Sequence, residues 1–299
     1  VETARRAWPA LIAWWQLLDV SSLGGILDNG LGDHETIVPR STAVTGSFAL
    51  FQNATLLGRI AGALGKLDAK KRYEAEAKRI RDAIRKKFYS ESGTFGIESQ
   101  ACYAGALFHG VLTAKEAIPG LVRAVQAADG HVNAGIFGTM WLLEALSRHG
   151  RSDLAVQIAT QRTYPGWGHM LANGATSLWE TWKESDDTFS NNHPMFGSVA
   201  GWMMRWLVGI QVPDDSFAGD HVVIRPQTMT TISEAAGQWQ CRRGLVGTRW
   251  ERKGRYLMMN VTIPASVTAD VHIPAGAGAL ISESGRSLTG HPDIQVIKR

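Results

Sequence analysis

Apolar positions recur every three or four residues along most of the first 210 residues, which is the period of an amphipathic α-helix. The pattern predicts a series of helices, some with capping residues at their starts: 4–18, Ser41 to Gly65, Asp68 to Phe88, 101–111, Thr113 to Asp129, 136–149, 153–161 and 196–210. Short and long loops alternate between them, which predicts antiparallel helix pairs arranged in a toroid. About eight helices are fewer than six complete pairs require.

The pattern changes near Pro213. From His221 onward, short runs alternate apolar and polar residues and end at Pro or Gly, which is typical of antiparallel strands. We therefore expect two domains, a partial (α/α)6 toroid over residues 1–214 and a small antiparallel β-sandwich over residues 215–299. The second domain carries no dense set of ionisable residues, so we expect it to be structural support.

Composition narrows the class of protein. Hydrophobic residues make up 44% and charged residues 19%, which indicates a globular chain, and no apolar stretch is long enough to span a membrane. The net charge of +4 is modest, and the basic residues of 70–87 alternate with acidic ones, so we expect no nucleic-acid partner. Cys102 and Cys241 form no metal-binding spacing, and we expect neither a metal nor a cofactor. Because a helix is predicted almost directly after Val1, we also expect the chain to be part of a longer polypeptide.

Candidate chemistry concentrates in the long interruption between the last two predicted helices, residues 162–194. A loop of this length inside a compact domain is usually functional or mobile, and this one is rich in Trp, Gly and His. Glu180 lies between Trp179 and Trp182, where partial desolvation tends to raise the pKa of a carboxyl group. The local sequence leaves two interpretations open, a catalytic base or a residue that forms a salt bridge or helix cap. Most of the 11 Trp are expected to pack in the core.

Other candidates are less specific. His193, before Pro194, could donate to a sugar hydroxyl or satisfy backbone groups at the start of the last helix. In the Gly-rich loop 30–35, Asp33 and Glu35 could bind hydroxyls, act in catalysis or hold the loop together. The acidic run of Glu184, Asp186 and Asp187 is more typical of solvated surface. The chain has no Gly-x-Ser-x-Gly motif, so acid–base chemistry on a neutral ligand fits best.

Several motifs together resemble one family. They are Ala134–Thr139, Gly174–Trp182, Asn192–His193, Phe196–Val199, Trp206–Ile210, the loop Gly30–Asp33 and the strand His221–Pro226. This combination resembles the bacterial α-L-rhamnosidases of glycoside hydrolase family 78, over the C-terminal half of their catalytic domain and the sandwich that follows. The resemblance covers nearly the whole chain.

The resemblance implies a six-pair helical toroid that removes terminal α-L-rhamnose with inversion. One carboxylic acid protonates the leaving oxygen, and a second carboxylate, about 6.5–9.5 Å away, activates water. Glu180 matches the position of that base and His193 matches a sugar contact. Asp33 and His34 match the loop that lines the sugar site, where the family often has Trp instead of His34. Trp179 and Trp182 are expected substrate contacts.

The family's general acid belongs to an Asp/Arg/Glu-rich motif that has no equivalent in this chain. We therefore expect a fragment that is inactive alone, whose partners are a rhamnose-containing glycoside and the missing N-terminal part of the enzyme. Two alternatives stay open. One is another (α/α)6 glycosidase, trehalase-like or glucoamylase-like, and the other is a non-catalytic carbohydrate-binding protein.

Overall fold

A computed structural model of the chain describes residues 1–184, 190–229, 231–276, 278–288, 291 and 294–297. The chain divides into a helical unit, Val1–Met203, and a second unit, Met204–Arg299. The domain limits 1–214 and 215–299 stay a prediction. None of the helices in the described ranges is long and apolar enough to cross a membrane.

The helical unit is built from successive helical hairpins. Its helices are α1 Glu2–Val20, α2 Thr42–Ala63, α3 Leu67–Phe88, α4 Gln100–Phe108, α5 Ala114–Ala127, α6 Ile136–Arg148, α7 Ser152–Ala159, α8 Trp167–Ala172 and α9 Ser198–Trp202. Alternate helices form a row in which α2 packs on α4, α4 on α6 and α6 on α9, while α3, α5 and α7 pack beside their hairpin partners. This is the paired arrangement predicted from the sequence.

Helix starts follow the capping residues in part. The side chain of Ser41 accepts a hydrogen bond from the amide of Val44 at 3.4 Å, and Thr113 and Glu116 form the predicted capping box at the start of α5. The predicted cap at Asp68 is wrong, because α3 begins one residue earlier, at Leu67. Asp68 lies in the first helical turn, where its negative charge interacts favourably with the positive end of the helix dipole.

The region around the predicted last helix differs from expectation. The long interruption contains α8, and the α-helix predicted over 196–210 is only the short α9 followed by a π-helix, Met203–Val208. The amide of Gly209 bonds to the carbonyl of Met204 at 3.1 Å, five residues back. The wider turn changes the directions in which successive side chains point around the helix axis. Both Trp206 and Val208 are therefore buried, which a regular α-helical period does not predict.

The second unit contains short strands in separate sheets. The strands are β1 Ile210–Gln211, β2 His221–Ile224, β3 Glu234–Cys241, β4 Gly244–Lys253, β5 Tyr256–Thr262, β6 Thr268–Val271, β7 Ser282–Glu283 and β8 Arg286–Ser287. The sheet β3-β4-β5 is antiparallel as predicted, but β2 pairs with β6 in parallel. The meander β3–β5 separates β2 and β6 in sequence, and a connection of this length is what a parallel pair needs. Val222, Ile224 and Val246 are fully buried in the hydrophobic core of the second unit.

Candidate active site

The N-terminal end of α6 is capped by a loop that lies about one hundred residues earlier in the chain. The residue at the N-cap, Gly135, has no side chain to satisfy the first amides of the helix. Asp33 takes over this role, because its Oδ2 accepts from the amide of Gly135 at 2.7 Å and its Oδ1 from the amide of Gly138 at 2.8 Å. The amide of Ile136 donates to the carbonyl of His34 at 2.9 Å.

Glycines make this close approach possible. A Cβ on Gly135 would lie 2.0 Å from the carbonyl oxygen of His34, and one on Gly138 would lie 2.5 Å from Oδ2 of Asp33. Only 2% of Asp33 is exposed. Burial raises the pKa of its carboxyl group above the ordinary value, and the amide bonds of Gly138 and Gly135 oppose that rise. Asp33 therefore fastens the 30–35 loop to α6.

The residues after Asp33 are more open. His34 and Glu35 are partly exposed, and Nε2 of His34 lies 3.3 Å from Oε1 of Glu35. Glu35 has a φ of 60°, in the left-handed region that residues other than Gly rarely adopt. The hydroxyl of Thr36 donates to the carbonyl of Asn133 at 3.0 Å and continues the attachment to the segment before α6. This part of the loop thus presents an imidazole and a carboxylate beside one another.

The Trp-rich loop is anchored to the same end of α6. The indole N–H of Trp182 donates to the carbonyl of Ala134 at 2.9 Å, and its ring stacks on Phe196 with centroids 3.8 Å apart. Trp167 packs edge-on against it at 5.2 Å. Trp179 and Trp182 are 3% and 1% exposed. The two indoles pack inside this chain, and their predicted contact with substrate stays a prediction that this packing does not favour.

Two irregular segments of the same loop bring Glu180 and His193 together. The amide of Glu180 donates to the carbonyl of Ser190 at 2.9 Å, and the amide of Ser190 donates back to Oε2 of Glu180 at 2.9 Å. The amide of His193 donates to the carbonyl of Leu178 at 2.7 Å. These bonds join the segments around Glu180 and His193 side by side, and the carboxylate of Glu180 is half-buried.

The imidazole of His193 has a defined role in this network. Its Nδ1 lies 3.2 Å from the amide of Met195, which can only donate, so Nδ1 is the acceptor. In the neutral imidazole the proton then lies on Nε2. The sequence left open whether His193 binds backbone or sugar, and this geometry allows both through different nitrogens.

A cleft of about 680 Å³ lies beside this loop. Its lining consists of Tyr164, His169, Asn173, Lys183 and Glu184. His169 packs edge-on against Trp179, with ring centroids 6.2 Å apart, and so connects the cleft to the Glu180 segment. The sequence pattern indicated this region but not Tyr164, His169 or Asn173, because it did not predict α8. Asp186 and Asp187 lie outside the described residues.

Metal-ligating groups do not cluster in the parts of the chain that the structure describes. Among those residues, no group of three or more His, Cys, Asp or Glu side chains is placed to hold a metal ion. Cys102 and Cys241 are buried free thiols. The site is therefore described by carboxylates, imidazoles and indoles.

Comparison with known proteins identifies the family of both units. Residues 2–207 match the bacterial alpha-L-rhamnosidase 6 hairpin glycosidase domain, and residues 209–287 match the bacterial alpha-L-rhamnosidase C-terminal domain. The chain belongs to the bacterial α-L-rhamnosidase family. The resemblance drawn from the sequence motifs is confirmed.

The curated relatives are much longer than this chain. It is 31% identical over 284 residues to an α-L-rhamnosidase of Streptomyces avermitilis, covering 90% of this chain and 27% of the relative. It is 26% identical over 271 residues to an α-L-rhamnosidase of Formosa agariphila, covering 86% and 29%. The chain thus spans less than a third of the length of either bacterial α-L-rhamnosidase.

Solved structures of the family share the fold. The crystal structure of Streptomyces avermitilis α-L-rhamnosidase complexed with L-rhamnose aligns with a TM-score of 0.86 at 28% identity, covering 96% of this chain and 30% of that one. The α-L-rhamnosidase from Dictyoglumus thermophilum aligns with a TM-score of 0.85 at 25% identity, covering 91% and 32%. The predicted fold class, a six-hairpin helical domain followed by a β-sandwich, is confirmed.

Proposed function

We propose that this chain is the part of an inverting α-L-rhamnosidase that supplies the general base, Glu180. The observation that carries the proposal is the pairing of the Glu180 and His193 segments in one loop, which is anchored through Trp182 to the end of α6 that also holds Asp33. Support also comes from the family of the chain and from the Streptomyces avermitilis α-L-rhamnosidase, which was crystallised with L-rhamnose. The substrate class is a terminal α-L-rhamnoside.

The proposed chemistry requires a fixed carboxylate that removes a proton from water. The amide of Ser190 holds Oε2 of Glu180 and orients the group without taking up its second oxygen. In the inverting reaction, Glu180 takes the proton while the water oxygen attacks the anomeric carbon, and the bond to the leaving oxygen breaks on the opposite face. His193, with its proton on Nε2, donates to a hydroxyl of the sugar.

The remaining candidates act at different distances from the sugar. His34 is partly exposed and is proposed to line the sugar site. Asp33 is proposed to position the 30–35 loop, because both its carboxylate oxygens accept hydrogen bonds from amides at the start of α6. Trp179 and Trp182 are proposed to hold the Glu180 segment, since their rings pack inside the unit.

We further propose that the general acid lies in the rest of the enzyme. A general acid must reach the leaving oxygen with a proton. In the described part of the chain, Asp33 binds backbone amides in a buried site, and Glu35 lies against His34. Neither of these two carboxyl groups is placed as a free donor. We expect the 299-residue chain alone to be inactive.

The test uses the complete enzyme that contains this chain and p-nitrophenyl α-L-rhamnoside as substrate. Glu180→Gln keeps the shape of the side chain but removes the base, so kcat should fall by about 10²- to 10⁴-fold while rhamnose binding, measured by calorimetry, is retained. Glu91→Gln, an exposed carboxylate after α3, is the matched control and should keep full activity.

Four results would contradict the proposal. Full activity of Glu180→Gln would exclude the base assignment. An α-anomer as the first product seen by NMR would exclude inversion. Hydrolysis by the isolated chain at the rate of the complete enzyme would exclude an acid outside it, and binding without turnover in the complete enzyme would favour a binding protein.

A further inference from the structure

The cleft beside the Glu180 segment has a lining that no step of the proposed reaction uses. Its volume of about 680 Å³ lies within the range of pockets that hold small molecules. The lining residues are Tyr164, His169, Asn173, Lys183 and Glu184. Tyr164 packs edge-on against His169 with ring centroids 5.4 Å apart, yet 45% of Tyr164 is exposed. The cleft therefore offers one open aromatic surface among polar side chains.

Asn173 fixes which nitrogen of His169 can donate a hydrogen bond. The Nδ2 of Asn173 donates to the carbonyl of His169 at 2.8 Å, and the same Nδ2 lies 3.2 Å from Nδ1 of the imidazole. Because an amide nitrogen only donates, Nδ1 is the acceptor, and in the neutral imidazole the proton lies on Nε2. His169 is therefore a hydrogen-bond donor in the lining of the cleft, through Nε2.

The charged residues of the cleft have opposite signs. Lys183 contributes an ammonium donor and Glu184 a carboxylate acceptor, so the lining favours neither an anion nor a cation. A neutral sugar ring matches this set, because its hydroxyl groups donate and accept and its C–H face packs on an aromatic ring. A flat apolar group would remove water from the polar side chains without replacing the hydrogen bonds of that water.

The cleft lies within reach of the proposed base. His169 packs edge-on against Trp179, the residue before Glu180, with ring centroids 6.2 Å apart. Lys183 follows Glu180 by three residues, so their Cα atoms are at most about 11 Å apart even in a fully extended chain. The hydroxyl of Thr181 donates to the carbonyl of Lys183 and holds the bend between them. A group linked to a rhamnose at Glu180 can therefore extend into this cleft.

We propose that this cleft binds the leaving group of the substrate, and that the leaving group is itself a neutral pyranose sugar. Tyr164 stacks on one face of that sugar, and His169 and Asn173 form hydrogen bonds with its hydroxyl groups. The substrate class is thus a rhamnosyl oligosaccharide, in which the scissile bond joins the rhamnose to a second sugar ring and not to a flat apolar aglycone. The inference rests on the proposed function, because it places the leaving group beside Glu180.

The test compares two substrates in the complete enzyme that contains this chain. One is α-L-rhamnosyl-glucose, taken as the best hydrolysed of its linkage isomers, and the other is methyl α-L-rhamnoside, which has no second ring. Tyr164→Ala removes the stacking surface, so the ratio of kcat/KM for the disaccharide to kcat/KM for the methyl glycoside should fall about tenfold. Tyr164→Phe keeps the ring and should retain most of the ratio. Tyr256→Ala removes another exposed tyrosine, in the second unit, and as the matched control should leave the ratio unchanged.

A binding measurement separates the sugar subsite from the proposed function. With rhamnose at saturation, methyl β-D-glucoside should give a saturation-transfer NMR signal with the complete enzyme, and Tyr164→Ala should remove most of that signal. Glucoside binding that depends on Tyr164, without hydrolysis of either substrate, would contradict the proposed function and keep the subsite. Rhamnoside hydrolysis with a ratio that Tyr164→Ala leaves unchanged, even if both rates fall together, would overturn the subsite and keep the proposed function.

Discussion

The bond between Asp33 and the start of α6 offers a direct test of how the candidate site is assembled. Asp33→Ala removes a buried carboxylate that accepts from the amides of Gly135 and Gly138 at 2.7 and 2.8 Å. These two amides have no partner within the helix ladder at its first turn. The variant should therefore destabilise the helical unit and loosen the 30–35 loop.

The expected magnitude follows from two opposing contributions. A hydrogen bond to a charged acceptor contributes about 1.5–3 kcal/mol, and the variant loses two of them and leaves two amides unpaired. Burial of the carboxylate has a cost, seen in the raised pKa of Asp33, and the variant removes that cost. The difference should be a loss of about 2–4 kcal/mol in the free energy of unfolding.

Urea unfolding followed by far-ultraviolet circular dichroism measures this loss, and hydrogen exchange of the first turn of α6 localises it. Asp28→Ala is the matched control, since Asp28 is exposed in the same region and should be neutral. Asp33→Asn should also destabilise, because its amide nitrogen would face one of the two backbone N–H groups. A loss below about 0.5 kcal/mol for Asp33→Ala, with unchanged exchange in α6, would refute the anchoring role.

Two further predictions concern pH. His109 packs among Phe48, Phe108 and Trp141, and burial lowers its pKa from 6.5 to about 4. The unfolded chain therefore takes up a proton at a higher pH than the folded chain does. The free energy of unfolding should be highest above pH 6.5 and should fall by about 3 kcal/mol as the pH drops to about 4. His109→Phe should make the Tm less dependent on pH over this range. An equal pH dependence in the variant would exclude His109 as its source. Hydrogen bonds from Arg85 and Thr113 lower the pKa of Glu116 to about 2. The contribution of Glu116 to the free energy of unfolding is therefore fully present above pH 4.5 and is lost as the pH falls toward about 2. Glu116→Gln should cost about 1–2 kcal/mol at neutral pH in urea unfolding, and a cost that stays unchanged in acid would contradict the ion pair with Arg85.

The hydrophobic pattern alone predicted much of the helical unit. The period of three and four residues located the hairpins, and local chemistry located the caps at Ser41 and Thr113, because a cap bonds to amides two or three residues away. The clustered motifs around Glu180 and His193 indicated the family and the candidate base. These features depend on neighbours in sequence, and the sequence displays them directly.

Tertiary structure decided the roles that depend on distant partners. The sequence left open whether Asp33 binds ligand or holds its loop, and its contacts to Gly135 and Gly138 lie more than one hundred residues away. The burial of Trp182 depends on Phe196 and Ala134, and the parallel pairing of β2 with β6 depends on where the chain returns. Periodicity shows which side of an element must be covered, but only packing shows what covers it.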